Sequence, residues 1–94
     1  MILHRINTAH TESNGLDVCL TYLNDNDTLV LAQNAVVCAC MPSLKQRLSG
    51  LSVKIMSDDL SARGLQHKLT IDAELIDDRQ FVELCASHNK VITW

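Results

Sequence analysis

Cysteine is the residue type in this chain that invites a specific chemistry. There are four, Cys19, Cys38, Cys40 and Cys85. A cysteine thiolate can attack a persulfide and hold sulfane sulfur, with a reactivity set by its pKa and access. Cys19 falls in a predicted helix about one turn inside its start, where the positive end of the helix would favour a thiolate. The same residue shares an apolar face with Leu16 and Leu23. Free cysteine is among the most buried residue types, so packing is the competing role. Cys38 and Cys40 form a Cys-x-Cys pair. A structural metal site wants about four ligands, usually as two pairs with two to four residues inside each pair. Nothing nearby completes such a set, so no metal is expected, and no motif calls for a cofactor. Cys85 shares a helix face with Phe81, which points to packing. His10 and His67 stand in polar connections without a nucleophile or carboxylate partner in sequence. His4 lies inside a strand, and His88 lies near a helix end where the dipole favours it. Asp58 and Asp59 are adjacent, so they point to different sides of a helix, and capping explains them more simply than acid–base work.

The elements that would position these residues alternate in type. Ile2 to Ile6 reads as a strand. From Gly15 the apolar positions Leu16, Cys19, Leu20 and Leu23 fall at helical spacing. Thr28 to Ala32 is a continuous apolar run, as expected of a central strand covered on both faces. Gln33 and Asn34 are placed to cap a short helix from Ala35 to about Met41, ended by Pro42, and Ser43 to cap a second one closed by Gly50. Leu51 to Met56 is a third strand. Ser57 is the expected N-cap of the helix that follows, with Asp58 and Asp59 in its first turn, Arg63 near its end and Gly64 as a left-handed stop. Glu74 to Ile76 is a short strand. Asp77 and Asp78 open a helix with Phe81, Leu84, Cys85 and His88 on one face, and Lys90 to Trp94 is a last strand. This rhythm predicts one α/β domain over residues 1–94, a three-layer α/β/α sandwich with a mainly parallel sheet of about five strands.

Composition removes several classes of function. The 94 residues carry a formal net charge of −3, against the basic patch a nucleic-acid binder needs. Three aromatic residues, Tyr22, Phe81 and Trp94, are too few for a base-stacking platform. No apolar run approaches the roughly 18 residues of a membrane span, and residues 1–6 do not have the pattern of a signal peptide. The chain is read as cytoplasmic, where the cysteines would be reduced thiols. No GxGxxG or P-loop is present. Hydrophobic residues make up 47% of a chain too short to cover both faces of a parallel sheet generously, so association with other subunits is expected.

Several stretches resemble the DsrH/TusB family of sulfur-relay subunits. They are MILHRIN at the start, DTLVLAQNAV, VKIMSDDLSARGL and the ending ELIDDRQFVELCASHNKVITW, so the similarity runs over essentially the whole chain. The segment from Asp59 to Leu65 and the segment from Asp77 to Val82 are its most specific parts, and neither is a catalytic motif. The resemblance implies a DsrE-like fold. It also implies a heterohexamer with DsrE/TusD-like and DsrF/TusC-like subunits, and a small TusE/DsrC-like sulfur acceptor. Such complexes pass persulfide sulfur toward 2-thiolation of the wobble uridine of tRNA, or act in dissimilatory sulfur oxidation. It places the main carrier cysteine on the DsrE/TusD-type subunit. Some DsrH-type members carry a cysteine in the first helix, the position of Cys19, which makes Cys19 the candidate catalytic residue here. As a carrier, Cys19 is expected near the surface at the start of its helix, by the mouth of a groove. The alternatives are a structural subunit of the same complex and a stand-alone ligand-binding module using the C-terminal edge of the sheet.

Overall fold

Thr28–Leu31 (β2) is buried along its whole length. Its side chains meet helices on both sides of the sheet, which explains why the sequence there does not alternate. A computed structural model describes residues 1–94. Around β2 the chain runs β1 (Ile2–Ile6), α1 (Gly15–Tyr22), β2, a 3-10 helix (Gln33–Cys40), α2 (Pro42–Leu48), β3 (Ser52–Met56), α3 (Ser57–Ala62), β4 (Glu74–Ile76), α4 (Asp78–Ser87) and β5 (Lys90–Thr93). The five strands form one sheet in the order β4-β3-β2-β1-β5, and every pairing is parallel. The expected α/β architecture is present.

Strand alternation sorts the core into two unequal layers. Ile6, Leu29, Leu31, Val53 and Ile55 face one side, where they pack with Leu16 and Cys19 of α1, the 3-10 helix, Leu44 and Leu48 of α2, and Leu60 of α3. Leu3, Val30, Met56 and Ile76 face the other side, with Ala32 beside them, and only α4 covers them, through Phe81, Leu84 and Cys85. No residue of α4 is fully buried, and Val82 and Val91 stand exposed. The Arg5 guanidinium lies 4.7 Å over the Phe81 ring on this thinner side.

Helix ends explain most boundaries. Asp77 and Gln80 form a reciprocal capping box at the start of α4, the Asp77 carboxylate accepting from Gln80 N–H at 2.8 Å and the Gln80 amide oxygen from Asp77 N–H at 2.9 Å. After α3, Leu65 N–H donates to Leu60 O and Gly64 N–H to Ser61 O, with Gly64 at φ +64°. That is the paired-bond stop which glycine accommodates without a Cβ penalty. Several expected boundaries differ. Gln33 and Asn34 lie inside the 3-10 helix they were expected to cap, with Ala32 flanking it, and Ser43 lies inside α2, which Met41 flanks. Pro42 opens α2 instead of ending the preceding helix, because a first-turn residue needs no N–H and proline already has a helical φ. Ser57 is the first residue of α3 and makes no capping bond with its side chain; Met56 takes the flanking position.

Candidate functional site

Parallel sheets bind ligands and partners most often beyond the C-terminal ends of their strands. That edge here is built from the residue pairs after β1, β2 and β3, and from Trp94 after β5. At the end of β2 the backbone turns sharply, and Gln33 takes φ +50°, a left-handed conformation unfavourable for a residue with a Cβ. Two bonds from the next layer hold it there. The Asp59 carboxylate accepts the Gln33 N–H at 2.8 Å, and Arg63 donates to the Asn34 side-chain oxygen at 2.6 Å through Nη2. Arg63 also donates to the Asp59 carbonyl, across the last turn of α3. Asp59 therefore braces a strained turn rather than merely favouring its helix start. The sequence signal was slight: an acid at the start of one helix and an amide pair after a strand, 26 positions apart.

Inside the first core layer, Cys19 is not where a carrier was expected. It is 0% exposed, among Leu16, Leu29, Leu31 and the other members of that layer. Burial, with the nearby charge of Asp27 adding to it, pushes its thiol pKa up to about 12. The expectation of a surface thiol at a groove mouth is thus corrected, and the reason is geometric. The helix begins at Gly15, so Cys19 is its fifth residue, past the amides that a helix start leaves free. Its side chain also follows the inward face set by Leu16. Cys38 is buried as well, and burial raises its pKa, with the His10 backbone N–H acting in the opposite sense. Cys40 is half-buried and raised by burial, with Lys68 opposing. Cys85 is half-buried on the sheet-facing side of α4. The cysteines are all free thiols, and at no point do three or more His, Cys, Asp or Glu side chains gather as metal ligands.

The histidines divide by environment. His10 Nδ1 is buried without a hydrogen-bond partner and lies 3.9 Å from Asp17, whose carboxylate is taken by Arg47 at 2.6 Å. His88 joins the end of α4 to the sheet, bonding Leu84 O through Nδ1 and the Thr28 hydroxyl through Nε2. His4 is 1% exposed and forms a polar cluster in the first core layer. Its Nε2 lies 2.9 Å from Asp27 Oδ2, and its Nδ1 accepts from the Trp94 indole at 3.1 Å. Asp27 also accepts the backbone N–H of Ile2 and of Asn24. Burial acts to raise the Asp27 pKa, but these bonds outweigh it and hold the carboxyl below its ordinary value. Nothing in the sequence alone pairs Asp27 or Trp94 with His4.

Of the four surface cavities only the one between β4 and α4 reaches the C-terminal edge, at Ile76 and Gln80. The largest, about 560 Å³, lies between the end of α2 and residues 70–72, lined by Lys45, Leu48, Leu51, Thr70 and Asp72 among others. None contains a cysteine or histidine, so the cavities and the nucleophile candidates do not coincide. No helix is long and apolar enough to cross a membrane.

Residues 8–91 match the family described as DsrH like protein. A protein of Pectobacterium parmentieri named Protein TusB is 28% identical over 96 aligned positions, covering 99% of this chain and all of that one. Protein TusB of Yersinia pestis (strain Pestoides F) is 32% identical, covering 84% of this chain and 86% of its own length. Among solved structures, the ychN protein from E. coli superposes with a TM-score of 0.84 at 21% identity, over 99% of this chain and 97% of that one. At that identity the likeness speaks for the fold.

Proposed function

The chain belongs to the DsrH family, and from that premise we propose that it is a subunit of a sulfur-relay complex that shapes the assembly without itself holding the sulfur. The observation that carries this reading is a family match over nearly the whole chain combined with a first-helix cysteine sealed in the core. A thiol with a pKa near 12 is almost wholly protonated at neutral pH, and the thiolate is the nucleophile. A donor persulfide would also need α1 to lift off the sheet before the Cys19 thiolate could attack its outer sulfur. The partners of this reading are DsrE/TusD-like and DsrF/TusC-like subunits and a TusE/DsrC-like acceptor. The names of the relatives favour the branch that ends in tRNA 2-thiolation over sulfur oxidation. The thinly covered second face of the sheet, with Val82 and Val91 exposed, supports association with such subunits.

The test is co-expression with the two related subunits, followed by intact-mass measurement of every chain after incubation with a persulfide donor. The expected result is co-purification, a one-sulfur gain on the DsrE/TusD-like chain and none on this one, with relay unchanged when this chain carries Cys19→Ala. A one-sulfur gain on this chain that Cys19→Ala abolishes would replace the structural reading with the carrier reading. Failure to associate with either subunit would remove both.

A further inference from the structure

The buried cluster of His4, Asp27 and Trp94 does more than satisfy polar groups. An indole N–H only donates, so the 3.1 Å contact makes His4 Nδ1 an acceptor. The neutral ring then carries its proton on Nε2, pointing at Asp27 Oδ2 2.9 Å away. Asp27 completes the arrangement by accepting Ile2 N–H at 2.9 Å and Asn24 N–H at 3.1 Å. The imidazole and indole rings lie nearly parallel, with centroids 6.1 Å apart and planes at 21°. Trp94 in turn backs onto α1. A Cβ built on Gly15, the first residue of that helix, would lie 3.6 Å from Trp94 Cβ, and the indole packs against the layer that holds Leu16 and Cys19.

We propose that Trp94, His4 and Asp27 form a protonation latch, in which a second proton on His4 expels the indole and frees the start of α1. The proton comes from solvent and takes the Nδ1 lone pair, the same pair that accepts the indole N–H. Two N–H groups then face one another at hydrogen-bond distance, and the half-buried indole is the group that can leave. Asp27 stays in place as counter-ion to the imidazolium. Next to Ile2, whose N–H Asp27 accepts, the Met1 ammonium bonds the Asn89 side chain. Leu29 and Ile92 are the register partners of His4 on β2 and β5. On α1 the neighbouring layer members are Leu16 and the thiol of Cys19, and Asp17 is engaged by Arg47 on the outside of that helix. Arg5, the next residue of β1, lies over Phe81 on the opposite face.

The experiment follows His4 and the single tryptophan together across pH. Imidazole nitrogen NMR reads the tautomer, Trp94 emission reads the indole, and amide exchange reads residues 15–20. The expected result is the Nε2–H tautomer at high pH. In acid, double protonation should coincide with a red shift of Trp94 emission, while exchange at 15–20 speeds up roughly two- to tenfold, as loss of one hydrogen bond implies. Trp94→Phe keeps an aromatic ring but no N–H, so it should make His4 easier to protonate and raise its titration midpoint. His4→Gln should abolish the emission titration. The latch is overturned by an Nδ1–H tautomer, by His4 titrating without a change in the indole, or by an unmoved midpoint in Trp94→Phe. Should His4→Gln fail to fold, the tautomer and the Trp94→Phe midpoint decide the matter alone.

Discussion

Asp27→Asn is the substitution that most directly weighs the buried polar cluster. The carboxylate receives three hydrogens, from Ile2 N–H on Oδ1 and from His4 Nε2–H and Asn24 N–H on Oδ2. Asparagine offers one oxygen and one NH2. Turned with its oxygen toward His4 and Asn24, it keeps two bonds and sets its NH2 against the Ile2 N–H. Turned the other way it loses two, so the first orientation is the better one. The variant then leaves the Ile2 N–H without an acceptor, adds an NH2 that faces it unpaired, and keeps two bonds that are no longer charge-assisted. With about 1–3 kcal/mol for the unmet group and some tenths to 1 kcal/mol for each weakened bond, the cost is about 2–4 kcal/mol. For a domain of this size that lowers Tm by roughly 10–25 °C. The assay is equilibrium urea unfolding followed by circular dichroism at pH 7 and repeated toward acid. Because the folded carboxyl lies below its unfolded value, the unfolded chain binds more protons through that window. Wild-type stability from Asp27 is therefore complete above about pH 4–5 and drains away as pH falls through the lowered folded pKa. The gap between wild type and variant should narrow accordingly. A variant within about 0.5 kcal/mol of wild type, the usual range of surface substitutions, or a gap that stays constant into acid, would refute the reasoning.

Other outcomes follow from particular residues. Alkylation of the folded protein, mapped by peptide mass, should modify the half-buried Cys40 and Cys85 first and reach Cys19 and Cys38 only as the chain unfolds; early labelling of Cys19 would contradict its burial. Gln33→Gly relieves a φ of +50° and should raise the urea midpoint, by up to about 1 kcal/mol of stability, with a drop showing that the glutamine side chain matters more than the strain. Gly64→Ala should cost about 1 kcal/mol in the same assay. The methyl group would meet nothing within 4 Å, so that cost is purely conformational, and an unchanged midpoint would mean the left-handed stop is dispensable.

The elements legible in the sequence are those written in local periodicity. The buried run of β2, the inward stripe Leu16–Cys19 of α1, the helix opening at Asp77 and the Gly64 stop each depend on residues within one or two turns of one another. The family likeness was legible for a similar reason, since it lies in contiguous stretches. The site was harder because its polar bonds are long-range: His4 to Asp27 spans 23 positions, Gln33 to Asp59 spans 26, and Trp94 to His4 spans 90. Only traces marked them, a histidine within a strand and an acid just before the most buried one. Cys19 shows how two local rules can compete. The dipole argument needs a thiol within reach of free amides, and the boundary at Gly15 places Cys19 one residue too far along. The packing argument needs only the spacing to Leu16, which does not depend on where the helix starts. A boundary is the least secure feature of any helix read from sequence, so when a dipole and a stripe disagree about a cysteine, the stripe is the firmer guide.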